Sequence, residues 1–368
     1  MEKQHRPPLA SLACVNEKCQ QYAQTGQDNL RLRKTYGQDA LRYLRCSSCG
    51  REFSERRNTP LWNTKISEPK ALAIAEQLAE GTSFKGTSRV VKVSPETVRR
   101  LAGQLGQHGK RFHNARVKDL TATALQADER WGFAGSKQQQ LWEAEAIDPD
   151  SRLIVERAQG ERNQLLLKRL LEGAQGRLSY PQGVVLFSDG EPSYKTLFPK
   201  VFGVPYHPAR SSRRGRFPKV RYRIARTQAH VQIVKRRSGK RLVNVTTRLA
   251  HGSHKRFVRE LWRLSYQKPN TSAIERRNAT TRRMDAVSVR KTLAFARTPE
   301  TREARGSWGM TVYNWAREHR SLRRALAEPQ GRRQYERRSP AMAAGLTDHL
   351  WNIAELLRCP TYPAQGQR

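Results

Sequence analysis

Two acids stand where a strand is expected to give way to a turn. Asp128 closes a run in which Leu125 and Ala127 alternate with polar neighbours, and Asp189 follows Val184-Val185-Leu186-Phe187-Ser188 and precedes Gly190. Carboxylates presented from neighbouring strands suit hard dications. A pair of magnesium ions about 4 Å apart, or manganese in their place, can activate the attacking oxygen and stabilise the leaving oxygen when a phosphodiester is displaced. A third acid on a packed helix would complete such a set. Each aspartate alone also reads as a turn former, because Asp-Gly is a common turn pair. Other acids compete less well: Asp148 and Asp150 flank Pro149 in a solvent turn, Glu161 opens a helix, and Glu129 and Glu191 merely adjoin the two aspartates.

Four of the five cysteines carry a second chemistry. Cys14-x4-Cys19 is followed after 26 residues by Cys46-Ser-Ser-Cys49-Gly50. Two thiolate pairs on two turns suit tetrahedral zinc, and a site with four protein ligands is structural rather than catalytic. Cys359 lies beside Leu350, Trp351, Ile353, Leu356 and Leu357 and reads as a small packed residue.

Elements must hold these groups in place. Residues 10–62 form the cysteine-bracketed unit, a zinc ribbon. Residues 66–110 carry helix signals at Pro69 to Glu80, Phe84 to Val91 and Thr97 to Gln107, the last with Ser94 as N-cap and Pro95 in the first turn. That order predicts a helix-turn-helix whose last helix turns Glu96, Arg99, Arg100 and Gln104 towards a DNA groove. An ordinary three-helix bundle with a charged face is the alternative.

From residue 120 the pattern changes to strands at Thr121 to Ala127, Leu141 to Ile147, Leu153 to Ala158 and Val184 to Ser188, with a helix over Glu161 to Glu172. Three strands, a helix and a strand is the order of a ribonuclease H-like core, assigned to residues 120–325. The fold class is therefore α+β and multidomain: zinc ribbon, helix-turn-helix, then a mixed α/β domain, with residues 326–368 as a C-terminal extension. Residues 207–268 carry nineteen Lys or Arg against the single acid Glu260. This basic stretch is expected as an insertion holding a β-hairpin, Val231 to Lys235 and Leu242 to Arg248, around a cationic tip with Arg236, Arg237 and Lys240. A disordered basic linker is the other reading of such a run.

The 70 Lys and Arg exceed the 32 Asp and Glu by 38 charges, a field of the sign that attracts phosphate backbones. Hydrophobic residues at 37% and seven Trp argue for packed domains rather than a solvated tail. No apolar run reaches the roughly 18 residues of a membrane span, and Met1 to Ala13 lacks a signal-peptide core. The expectation is a soluble, cytoplasmic protein with nucleic acid, here double-stranded DNA, as its partner.

At the carboxylates the residues carry a resemblance. Asp128-Glu129-Arg130-Trp131-Gly132-Phe133-Ala134-Gly135-Ser136-Lys137 resembles the first-carboxylate motif of insertion-sequence-one transposases. Ser188-Asp189-Gly190-Glu191-Pro192-Ser193-Tyr194 is similar to the family's second-carboxylate turn, and Ser272-Ala273-Ile274-Glu275-Arg276-Arg277-Asn278 to its glutamate-bearing helix. Tyr313-Asn314-Trp315-Ala316-Arg317-Glu318-His319-Arg320-Ser321-Leu322-Arg323 is similar to the closing segment of many DDE transposases. The resemblance spans most of residues 10–325. It implies that Asp128, Asp189 and Glu275 bind magnesium and catalyse cleavage and joining at element ends, that Lys137 contacts DNA, and that the protein acts as a homodimer or larger assembly on DNA.

Two features depart from the family pattern. Asp189 and Glu275 stand 86 positions apart, filled by the basic region. Both halves lie in one frame, whereas the best-known members join them by frameshifting. Glu275 also fits a capping box opened by Ser272. Rival functions are a non-catalytic DNA-binding regulator, which has no need of a large mixed α/β domain, and a hydrolytic nuclease of the same fold.

Overall fold

The computed structural model describes residues 6–37, 39–209, 217–239, 241–289 and 291–362. Three short antiparallel strands, β1 (Leu30–Tyr36), β2 (Leu41–Cys46) and β3 (Glu52–Ser54), form the amino-terminal sheet in that order. Leu12, Leu30, Leu44 and Phe53 bury with Cys14, Cys19 and Cys46 into a core of their own. So small a core buries little apolar area.

Three helices follow: α1 (Glu68–Ala79), α2 (Phe84–Val91) and α3 (Pro95–Arg116). Ser83 caps α2 by accepting from Gly86 N, and Ser94 caps α3 by accepting from Thr97 N, with Pro95 in the first turn. Between them Lys92 adopts left-handed backbone at φ 56°. Helix α3 runs past the expected end at Gln107 because its second half is not a solvent face: Leu105, His108, Phe112 and His113 are buried. Gly106 permits a close crossing, since a Cβ there would stand 2.3 Å from the Cα of Ala304.

The central sheet begins with β4 (Ala124–Arg130), followed by a small ribbon of β5 (Phe133–Ala134) and β6 (Ser136–Gln140). The strands β7 (Trp142–Ile147) and β8 (Ile154–Gly160), the helix α4 (Gln164–Gln175), β9 (Val185–Ser188) and the helix α5 (Pro192–Phe202) come next. A two-stranded pair, β10 (Val204–Tyr206) and β11 (Arg221–Arg223), leads to the long hairpin β12 (Ala229–Ser238) and β13 (Arg241–Gly252). The sheet order is β13-β12-β9-β4-β7-β8. β12 and β4 lie parallel to β9, and the other neighbours are antiparallel.

Helix α4 buries Leu166, Leu167, Leu170 and Leu171 on one side of the sheet. Helix α6 (His254–Arg263) lays Phe257 and Leu261 against Val185, Phe187, Val231 and Ile233 on the other. Helix α7 (Ser272–Met284) crosses β4, and α8 (Pro299–Thr311) continues through a π-helical turn at Val312–Ala316. The chain ends in the pair β14 (Arg324–Gln330) and β15 (Arg333–Glu336), then α9 (Pro340–Ala343) and α10 (Ile353–Arg358).

Three expectations change. β4 starts three residues late and continues through Asp128 to Arg130, so Asp128 lies within a strand rather than closing one. The residues expected as an inserted hairpin include a strand of the central sheet: Ala229 to Ile233 are buried, Ala229 to Gln232 pair along β9, and only the distal arm projects with exposed residues on both strands. The alternation of Ala229, Val231 and Ile233 places one face of β12 on α6, which excludes the disordered reading for this stretch. The C-terminal extension is also part of the main body. Leu356, Leu357 and Trp351 join its core, and Tyr362 Oη accepts from Ala13 N at 2.8 Å.

Candidate active site and metal centre

Register brings the two aspartates side by side. Ala127 pairs with Ser188 across the parallel strands, so Asp128 and Asp189 are the next residues along β4 and β9. Asp128 Oδ1 accepts from Glu129 N at 3.0 Å and Oδ2 from Asn278 Nδ2 at 2.7 Å. Asp189 Oδ1 accepts from Glu191 N at 3.0 Å, which shapes the turn into α5. Burial, then the charge of Asp189, pushes the Asp128 carboxyl up to about 6. The same two causes, joined by Asp128, push Glu129 up to about 7, and burial followed by Glu191 raises Asp189. Carboxyls held up by one another are stabilised in their ionised form by a cation among them.

Glu275 reaches this group on α7. Its carboxylate accepts from Thr271 Oγ1 and pairs with Lys235 Nζ of β12. The charge of Glu275 contributes to raising Asp128. No capping box forms at this helix. Thr271 is the N-cap, and the Ser272 side chain turns to Asn270. The free N–H groups of Ala273 and Ile274 instead donate to Gln126 Oε1 at 2.9 and 3.1 Å, and Gln126 Nε2 donates to Asn270 O at 3.0 Å. Gln126 lies two residues before Asp128, on the same strand face. One buried amide thus straps the helix bearing Glu275 onto the strand bearing Asp128.

Asn278 completes the strap one turn further along, its Oδ1 accepting from Arg130 Nη1 at 2.9 Å. Beneath it lies a buried charge network. Arg130 pairs with Glu143 and Glu145, Arg277 with Glu145, and Arg157 and Arg302 with Glu143. Burial of Glu145 is outweighed by Arg130 and Arg277, which hold its carboxyl down at about 2. Removing one partner from such a network leaves a buried charge uncompensated.

Sequence reasoning missed Gln126, Asn278 and this network. A polar residue inside an apolar strand and an Asn three positions after Glu275, on the same helical face, were the available signals. Asp148 is buried rather than solvated and accepts from the N–H groups of Asp150 and Ser151. Asp285 is bound to Arg305 Nε at 3.0 Å. Asn314 clamps β8, exchanging hydrogen bonds of 2.9 and 3.0 Å with Ile154 N and O.

The four cysteine sulfurs lie within 4.8 Å of one another, and Cys14 Sγ is 3.6 Å from Cys49 Sγ. A tetrahedron with zinc–sulfur bonds near 2.3 Å has edges of about 3.8 Å, so the cluster fits a zinc ion. Asn29 Nδ2 donates to Cys46 Sγ at 3.2 Å, and Gly50 at φ +71° lets its N–H turn back to Cys46 O. Among the described residues this is the one group of three or more metal-capable side chains drawn so close; the carboxylates are not.

The basic candidates divide. Arg99 and Arg100 are exposed on the first turns of α3, with Arg99 paired to Glu96. Gln104 is not on that face: it is half-buried, and its amide donates to Trp62 O at 3.2 Å. Lys137 is exposed on β6, and Arg236 and Arg237 are exposed on the projecting arm. Lys240 lies outside the described residues. No described helix is long and apolar enough to cross a membrane.

No family model matches the chain. Over 69 residues it is 39% identical to the insertion element IS1 protein InsB of Shigella flexneri, which covers 19% of this chain and 50% of that protein. The chain thus spans about half the length of this curated relative. Among solved structures, a Mos1 strand transfer complex aligns with TM-score 0.16 and 11% identity, over 36% of this chain and 53% of the other. A pre-cleavage Mos1 transpososome aligns with TM-score 0.19 and 10% identity, over 68% and 78%. Scores this low carry no statement about the fold. The resemblance to insertion-sequence-one transposases is thus met by a partial match in sequence to an insertion-element protein.

Proposed function

We propose that the chain is a DNA transposase with a ribonuclease H-like catalytic domain, in which Asp128, Asp189 and Glu275 hold divalent metal. The observation that carries this reading is the adjacency of Asp128 and Asp189 on parallel central strands, with the helix bearing Glu275 strapped to the first by Gln126 and Asn278. The order β8-β7-β4-β9-β12, three antiparallel strands followed by two parallel ones, supports the fold assignment. Magnesium at these acids supplies Lewis-acid activation of the phosphodiester and its attacking oxygen. Asn278 and the Glu129 N–H orient Asp128, while Lys235 balances Glu275 and presents a cation beside the carboxylates.

The rest of the chain serves recognition in this reading. Cys14, Cys19, Cys46 and Cys49 hold structural zinc. Helices α2 and α3 act as a helix-turn-helix with Arg99 and Arg100 on DNA, and Lys137, Arg236 and Arg237 add cationic contacts. The test combines labelled element-end DNA, magnesium and a target plasmid. Joined product supports transposition, nicked but unjoined DNA means a hydrolytic nuclease, and binding without cleavage means a regulator.

A further inference from the structure

A cavity of about 530 Å³ opens between the amino ends of α2 and α3 and the segment that precedes α8. Its lining is mostly apolar, with cations set around it. Lys85, Arg89, Arg99 and Arg297 stand around it, Arg305 lines its wall, and no carboxylate is among its lining residues. Arg305 is buried, with its guanidinium 5.8 Å over the ring of Phe84. Its Nε is bound to Asp285, yet both terminal nitrogens lack a hydrogen-bond partner. Asp285 balances the charge of Arg305, and its two unused terminal nitrogens call for further acceptors.

Two rings add a second requirement. Phe84 and Phe295 both line the cavity, and Phe295 tilts against Phe133 with centroids 5.5 Å apart. Phe133 stands three residues beyond β4, the strand that carries Asp128. Aromatic rings beside phosphate-binding cations are the pairing that holds unstacked nucleotides, the ring taking the base and the cations the backbone. The volume lies within the usual range for small-ligand sites.

We propose that this cavity takes one nucleotide displaced from the DNA duplex next to the strand being processed, its base against Phe84 and Phe295 and its phosphate on Arg305 and the rim cations. The inference rests on the DNA-processing reading above and extends it to a site no carboxylate occupies.

The test uses the full chain carrying Asp128→Asn, in EDTA, so that binding is read apart from cleavage. The probes are a short duplex with one extrahelical fluorescent adenine analogue and the same duplex fully paired. The expected result is about tenfold tighter binding of the extrahelical probe, with its fluorescence quenched by stacking. Phe84→Leu and, separately, Phe295→Leu should bring that ratio towards one. Equal affinity for the two probes in the Asp128→Asn protein overturns the proposal, as does a ratio that survives both variants. Inorganic phosphate or polyglutamate that competes equally against both probes, with no base preference, marks a bare anion site and overturns it too. If the ratio holds while the parent chain shows no cleavage, only the catalytic reading fails.

Discussion

Asn278 Nδ2 donates to Asp128 Oδ2 at 2.7 Å while its own Oδ1 accepts from Arg130 Nη1, so one amide links helix α7 to two residues of β4. The donor favours ionised Asp128 and opposes the burial that holds its carboxyl up near 6. Asn278→Ala should therefore lower activity about ten- to a hundredfold, as loss of an orienting partner of a metal ligand does. The acid limb of the pH–rate profile should move to higher pH, because Asp128 then ionises later. A purely structural role would lower stability and leave the limb in place, which pH profiles beside melting curves distinguish.

Glu275 and Gln126 divide the duties that a capping box would have joined. The first N–H groups of α7 are served by Gln126, so Glu275→Gln should melt within about a degree of the parent and bind end DNA normally. Strand cleavage should fall by several orders of magnitude, since glutamine lacks the charge that binds a hard dication. Gln126→Ala should do the reverse in stability, costing about 1–3 kcal/mol by leaving buried N–H groups without an acceptor. Near-parental cleavage by the Glu275→Gln protein would remove Glu275 from the metal set.

How far the sequence disclosed this arrangement depends on the distance between partners. The α2 boundaries, the Ser94 cap and the strands of β7 and β9 were legible because each rests on neighbouring residues: alternation, a capping serine, a proline in the first turn. The role of Gln126 was not, because its partners lie about 147 positions away and only β4 packing against α7 joins them. Gln104 was misplaced for the same reason. Its spacing from Arg100 suits one helical face, but the Trp62 carbonyl, 42 residues earlier, turns it inward. The basic stretch was read by charge, which hid that Ala229 to Ile233 form a core strand.

Cys46→Ser with Cys49→Ser should take bound zinc from one ion per chain to none. The amino-terminal sheet should lose its fold with it, because coordination energy is also folding energy for so small a core. Metal analysis checks the first point, and proteolysis of the first sixty or so residues, against an intact remainder, checks the second. Full zinc occupancy in the double variant would reject the assignment.

Acid sensitivity should arise in part from two buried histidines of α3, beside His230 and His319, which burial also pushes down. His108 Nε2 meets Leu356 O at 2.9 Å and His113 Nε2 meets Val155 O at 3.0 Å, so each ring donates to a carbonyl and stays neutral. Burial first, with Arg111 near His108 and Arg177 near His113, pushes them down to about 4 and about 3 from 6.5. A depressed histidine contributes stability that is fully present above 6.5 and is lost as pH falls towards the folded value. Each should therefore cost about 1.4 kcal/mol per pH unit below 6.5 until its folded pKa is reached. Asp128 and Glu129 act with the opposite sign, since their raised carboxyls favour the folded chain in acid, so the contrast with a variant isolates the rings. His113→Gln keeps a donor for Val155 O and removes the titration. Denaturant melts of parent and variant between pH 7 and pH 4 should show the variant losing less stability, by about 2 kcal/mol or more at the acid end. Parallel curves for the two proteins would mean that His113 is already protonated in the fold, and would place the acid sensitivity elsewhere.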